Sequence, residues 1–397
     1  MEIIIIHLTD DNQTLKACAA TCIIWRNVAT PHLHRTLILW SKFFVPDGNG
    51  SARRNPLPSL HQLGLLPLVK ELQFSGTFPV VHWVTTAIFN SRNMQFLRAM
   101  VNLRELRIAD LDFSGFPTGL GERLGHFSPT VRSVALRRPN GTRRQLLEFF
   151  RLFPMLDDVE VLNYSVRWEG DEDLDGQLVP MNRGLRGQLT LHSFGEEGLF
   201  EDMVVAFGGI RFTSMDLRNV RGMQPLLEAC AHTLETLRIY PDDISNRCRS
   251  ASRDHFPGTS ADALLQAHPK NLTLSCCTTL QSIEVPIQPL GDQTKRLLST
   301  ITSPAFSEIV IVFSERDVNR TLKALPRIMR ELYEVKECRA AFCLESLEEN
   351  RGAMLHTMTL ETEAAVAAGL YDFLPCPPSV FSRTIARHDR RFTFYVL

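Results

Sequence analysis

One short phrase of apolar and polar positions recurs along most of the chain. It runs apolar, two polar positions, apolar, one position, apolar. The copies are LVKELQF (68–74), LRELRI (103–108), VRSVAL (131–136), LDDVEV (156–161), FTSMDL (212–217), LETLRI (234–239), LQSIEV (280–285) and FSEIVI (306–311), with weaker copies at LRGQLTL (185–191) and LHTMTL (355–360). The closing alternation predicts a strand with one buried face, and the leading apolar residue packs the turn into it. Between copies lie helix-like stretches, TRRQLLEFFRLFP (142–154) and GMQPLLEACAH (222–232). Successive middle positions are spaced from about 22 residues (Met215 to Leu237) to about 34 (Leu72 to Leu106). One strand–helix unit cannot cover its own apolar face, so neighbours stack and share a core. The expected fold class is α/β, an irregular solenoid over residues 60–397 with parallel strands on a concave face and helices outside. An ordinary α/β domain of alternating elements is the other architecture the pattern permits.

The front of the chain is patterned differently, and residues 1–45 read as helical. Ile3, Ile4 and Leu8 share a face at helical spacing, while Leu15, Cys18, Cys22, Trp25 and Val28 step by three or four along one stripe. Asp11, Asn12 and Thr14 are cap candidates ahead of that stripe, and Pro31 is expected to end it. The stretch FVPDGNGSARRNPLPS (44–59) reads as a loop, which places a linker at 46–59. Towards the other end, 317–349 reads as helix-rich, DFLPCPPSVFSR (372–383) as a surface loop and RRFTFYVL (390–397) as a terminal strand.

Composition narrows the classes of function. The chain has 397 residues and a net charge of −1, so no global field draws it to nucleic acid or an anionic membrane. Arg137, Arg138, Arg143 and Arg144 form a local basic run, read as a solvated rim rather than a phosphate track. No apolar run reaches the ~18–20 residues that span a bilayer. The opening MEIIIIHL has no basic region before it and does not read as a secretory signal. Nine cysteines, an odd number without framework spacing, point to reduced thiols and a cytoplasmic or nuclear location.

The N-terminal residues carry a resemblance. Glu2-Ile3-Ile4, then Leu15, Cys18, Cys22 and Trp25, then Pro31, Leu33 and Arg35 follow the order of elements in an F-box. The repeated phrase resembles a leucine-rich repeat, although the asparagine or cysteine that normally follows is filled only in places, for example by Asn219. An F-box followed by degenerate leucine-rich repeats is similar to the large families of such proteins in mushroom-forming fungi. The resemblance implies a substrate receptor of a Skp–cullin–F-box ubiquitin ligase, with 1–45 as the F-box-like unit and 60–397 as the repeat domain. It implies that Ile3, Ile4, Leu8 and Leu33 contact the Skp-type adaptor, and that Leu15, Cys18, Cys22, Trp25 and Val28 hold the helices together. The repeats would capture a protein target. The family's opening Leu-Pro pair, which touches the adaptor, has no counterpart in this chain. The alternative is a repeat scaffold without a ligase link, its N-terminal helices only capping the array.

Other chemistry finds weaker support in the residues. GLGERLG (119–125) is one residue too long for a dinucleotide-binding fingerprint. DEDLDG places Asp171, Asp173, Asp175 and Gly176 as in a calcium loop, but Asn182 stands where the bidentate Glu belongs, so an acidic surface insertion is expected. Cys276 and Cys277 are adjacent and would face opposite sides of a strand, His32 and His34 have no nearby CxxC, and Cys338 and Cys343 read as small buried residues. No nucleophile elbow, metalloprotease helix or P-loop occurs. The expectation is a non-enzymatic chain with no cofactor, no metal, no nucleic-acid partner and no membrane partner.

Overall fold

The structure, a computed structural model of the chain, describes residues 11–40, 55–75, 91–111, 113, 129–166, 184–194, 199–220, 222–240, 272–286, 292–314, 339–345, 381–386 and 391–396. Contacts divide the chain into two units, Met1–Ile210 and Arg211–Leu397.

The described part of the first unit begins with two helices, α1 (Asn12–Thr21) and α2 (Ile23–Leu33). Asp11 caps α1, its Oδ1 accepting from the Gln13 and Thr14 N–H groups at 3.0 and 2.9 Å. Thr21, Cys22, Ile23 and Ile24 form a run of poor helix formers, and Cys22 turns to an extended conformation between the helices. The stripe expected on one helix is therefore broken at Cys22. Pro31 does not end the second helix either. It sits in the last turn, where one missing N–H is tolerated, and the helix closes when His34 donates to the Thr30 carbonyl at 3.1 Å.

The sheet begins earlier than expected. Strand β1 (Thr36–Trp40) lies inside the segment read as helical and pairs in parallel with β2 (Glu71–Ser75). The short helix α3 (Leu57–Gln62) stands between them in sequence, with Leu57 inside the stretch read as linker. Then follow α4 (Ser91–Leu97), β3 (Glu105–Ala109), β4 (Ser133–Arg137), β5 (Asn140–Gly141), α5 (Arg143–Arg151), β6 (Asp158–Leu162), β7 (Ser165–Val166), β8 (Leu185–Phe194) and α6 (Leu199–Ala206). β1, β2, β3, β4, β6 and β8 pair in that order, all parallel, and β5 pairs with β7 in a small ribbon.

The recurring phrase fixes this register. Its middle residues Leu72, Leu106, Val134, Val159 and Leu189 stack with Leu39's strand neighbour Leu37, and all five are buried, as are Phe74, Ile108, Leu136, Val161 and Leu191 one step on. Each such side chain is worth about 1.5–3 kcal/mol on burial. A backbone device repeats with it. The carbonyls of Arg35, Lys70, Arg104 and Arg132 each accept two N–H groups from the next strand's entry, at 2.7–3.0 Å. Beyond β3, β4 and β6, Asp110, Arg138 and Asn163 take the left-handed conformation (φ 56°, 53° and 56°), each donating its N–H to a carbonyl of the following strand. Where a polar ladder residue would follow β3 and β6 stand the buried Leu111 and Tyr164.

Helix α5 covers part of this sheet. Thr142 and Gln145 form a reciprocal capping box, and Leu146, Leu147, Phe149 and Phe150 are buried. Phe149 meets Phe113 and Phe153 edge to face, with centroids 5.6 and 5.4 Å apart.

The second unit holds β9 (Ile210–Val220) apart from its first residue, then α7 (Gln224–Ala229), β10 (Thr236–Tyr240), β11 (Ser282–Pro286), α8 (Asp292–Ser299), β12 (Glu308–Ser314), β13 (Arg339–Glu345), β14 (Phe381–Ala386) and β15 (Arg391–Val396). β9 to β13 pair in order and in parallel; β15 then pairs antiparallel with both β13 and β14. The terminal strand expected from RRFTFYVL is present as β15. Two expectations need correcting. β13 falls in the segment read as helix-rich, and β14 starts inside the stretch read as a proline-rich loop. Asn219 lies within β9, and the weak copy at 355–360 falls outside the described residues. The chain is thus mixed α/β, with parallel strands in chain order in each unit.

Candidate functional site

The N-terminal helices enclose a small core. Leu15 and Ala29 are fully buried, and Cys18, Ala19, Trp25, Val28 and Leu33 pack around them. Leu15, Cys18, Trp25 and Val28 are thus brought together as expected, whereas Cys22 is exposed at the junction between the helices. The extended backbone there turns its thiol away from the stripe. Leu33, expected on a contact surface, is half-buried against this core. Ile3, Ile4 and Leu8 lie outside the described residues. Sequence reasoning missed an apolar pair: Ile23 and Ile24, at the start of α2, are 69% and 55% exposed. Their adjacency was legible, but their exposure depends on the break at Cys22.

The open face of the strands carries the charge. In the first unit Arg107 stands between two carboxylates. Its Nε lies 3.0 Å from Glu71 Oε1 and donates to Glu105 Oε1 at 2.7 Å. Glu71 also accepts from the Thr36 hydroxyl at 3.0 Å. Burial pushes the Glu105 carboxyl above its ordinary range, against the pull of Arg107 and with repulsion from Glu71 and Glu160. Asp158 sits at the entry of β6, its Oδ1 accepting from the Gln188 N–H at 2.9 Å. Burial raises its carboxyl too. That approach requires Gly187, whose φ is +96° and whose position would place a Cβ 2.5 Å from Asp158 Oδ1.

The second unit carries a tighter network on β9, β10 and β11. Arg218 reaches Asp216 through Nε and Nη2 at 3.0 and 3.2 Å. Arg238 bridges the next two strands, Nη1 to Asp216 Oδ2 at 2.8 Å and Nη2 to Glu284 Oε2 at 2.6 Å. Burial raises the Glu284 carboxyl, with Arg238 opposing. The register Arg238↔Asp216 and Arg238↔Glu284 produces this chain of charges, since the three residues are direct cross-strand neighbours. Such a network fixes register and presents polar groups at the sheet surface.

The remaining sequence candidates fall elsewhere. Arg138 pairs with Asp110 at 2.8 Å, Arg143 with Asp202 at 3.3 Å and Arg144 with Glu148 at 2.9 Å, so these arginines are internally compensated. Cys276 and Cys277 lie in a turn rather than a strand, and their sulfurs are 3.8 Å apart instead of on opposite sides. Burial pushes the Cys277 and Cys230 thiols up to about 12. His32 and His34 flank the end of α2, and burial lowers the His34 imidazole. Among the described residues no group of three or more His, Cys, Asp or Glu is placed to hold a metal ion. No described helix is long and apolar enough to cross a membrane. GLGERLG, DEDLDG and Cys338 lie outside the described residues, and so does the side chain of Cys343.

Together the described residues define a mixed α/β protein with ion-paired parallel strands and, at 12–33, a pair of helices around a small core. No protein-family model matches the chain, and no curated protein matches it either.

Proposed function

We propose that the chain is the substrate-receptor subunit of a Skp–cullin–F-box ubiquitin ligase. The helices α1 and α2 form an F-box-like unit that docks the Skp-type adaptor, and the parallel strands with their flanking helices form a degenerate leucine-rich-repeat solenoid that captures a protein target. The observation that carries this reading is the exposed pair Ile23 and Ile24 on a two-helix unit with its own small core. An adjacent exposed apolar pair on a helix start is the kind of surface a partner covers. Ile3, Ile4, Leu8 and Leu33 would extend that contact.

A second reading has its own support. The backbone passes from α2 into β1 within two residues, and the Arg35 carbonyl joins the sheet ladder. Helices tied so closely to the first strand suit a cap on a repeat array without a ligase link. Titration of purified Skp-type adaptor against the full chain separates the two. Binding that disappears in an Ile4→Asp/Leu8→Asp variant supports docking; absence of binding by the unaltered chain leaves the cap.

A further inference from the structure

The turn into each strand of the first unit places one residue at the same spot, where its carbonyl accepts the next strand's N–H groups. Along β1 to β4 that residue is Arg35, Lys70, Arg104 and Arg132. The Lys70 N–H reaches the Arg35 carbonyl at 2.8 Å, Arg104 reaches Lys70 at 2.8 Å, and Arg132 reaches Arg104 at 2.8 Å. Four cations therefore stand in file, one per strand, about 4.8 Å apart at the backbone and about 14 Å from end to end. All four are exposed.

What sets the file apart is that its unpaired cations stand in register on successive strands. Several arginines of this unit meet carboxylates: Arg107 with Glu71 and Glu105, Arg138 with Asp110, Arg143 with Asp202. Among the described residues, Arg35, Lys70 and Arg104 form no ion pair. The file ends where Asp157 takes the next position and lies 3.5 Å from Arg132, followed by Gly187 in register one strand on. The repeat does not demand cations here, because the equivalent positions in the second unit are Thr213, Glu235, Gln281 and Ser307.

We infer that this file of cations is a docking surface for an acidic peptide segment of a protein target. Arg35, Lys70 and Arg104 repel one another where no anion is supplied, and an anionic segment supplies it. An extended peptide of about five residues spans the ~14 Å. A nucleic-acid strand fits less well, because the described file has no aromatic side chain on which bases could stack. The inference rests on the reading of the strands as a target-binding array.

The test uses the full chain and a fluorescein-labelled hexaglutamate peptide, with hexalysine and an oligouridylate as comparisons. The hexaglutamate binds and hexalysine does not. Raising salt from about 0.05 to about 0.5 M weakens binding at least about tenfold, as screening of exposed charges requires. An Arg35→Glu/Lys70→Glu/Arg104→Glu variant loses binding, and the milder triple change to Gln weakens it while far-UV circular dichroism stays that of the parent. Hexaglutamate binding that is absent, or unchanged in both variants, overturns the inference, and so does tighter binding of oligouridylate through the same residues. Adaptor titration on the same samples keeps the two readings apart. Adaptor binding without hexaglutamate binding removes the cation file alone; hexaglutamate binding without adaptor binding removes the ligase reading alone.

Discussion

Replacing Arg238 by Met tests the network on the second unit's sheet. Arg238 is held between Asp216 and Glu284, with side-chain exposures of 16%, 15% and 11%. Asp216 keeps Arg218 after the change, at 3.0 and 3.2 Å, so the loss falls chiefly on Glu284. Breaking a buried ion pair from one side costs about 3–5 kcal/mol, and a pair with this residual exposure belongs at the lower end, about 3 kcal/mol. The pH dependence follows from the raised Glu284 carboxyl. A group whose pKa is higher folded than unfolded gives stability that is complete below the unfolded value and is lost as pH rises through the folded value. Arg238 is the main group opposing that rise, with Arg218 behind it, so Arg238→Met moves the folded value further up. The destabilisation is therefore larger near pH 7.5 than near pH 5, since falling pH favours the protonated Glu284 carboxyl; each unit of added shift is worth about 1.4 kcal/mol. Urea denaturation followed by hydrogen exchange of β10 measures it at both pH values. The double variant Arg238→Met/Glu284→Gln recovers most of the loss at the higher pH. A penalty below about 1 kcal/mol, an equal penalty at both pH values, or a double variant no better than the single would refute the reasoning.

Three further outcomes are expected. Gly187→Ala destabilises by about 3 kcal/mol, because a strained φ of +96° is joined by a clash with Asp158, while Gly64→Ala, at φ +67° with open space around it, costs about 1 kcal/mol; paired urea melts compare them. Phe149→Ala loses about 3–5 kcal/mol, since Phe113 and Phe153 cannot close over the space it leaves, read as a fall in thermal midpoint. With iodoacetamide at about pH 8 the exposed Cys22 is alkylated in the folded chain, whereas Cys230 and Cys277, whose thiols burial holds up at about 12, react only after unfolding; peptide mass mapping assigns each site.

Much of the strand framework was legible because apolar positions three and then two apart leave little choice about which face is buried. Nine copies of the phrase coincide with strands, including the weak one at 185–191. The two missed parallel strands lack the leading apolar residue. In β1 that place is His34, and in β13 it is Glu337 with only Ala340 in the middle position. The helix pattern at the front placed Leu15, Cys18, Trp25 and Val28 correctly, but four consecutive poor helix formers, Thr21 to Ile24, broke the stripe at Cys22 and set Ile23 and Ile24 outside. The charge networks could not be read from sequence. Arg238 and Glu284 meet only through the register of β10 on β11, across a long intervening segment. The file of cations was visible in the words HRTL, VKEL, LREL and VRSV, once β1 is counted among the strands.

The most direct test of the ligase reading is a calorimetric titration of Skp-type adaptor into the full chain and into an Ile23→Asp/Ile24→Asp variant. Both side chains are exposed in the free chain, so the variant keeps the parent's thermal midpoint. The account predicts that the unaltered chain binds and that the variant binds at least about 100-fold more weakly, the equivalent of about 2.7 kcal/mol of lost apolar contact. Equal affinity of the two chains, or no binding by either, would contradict it.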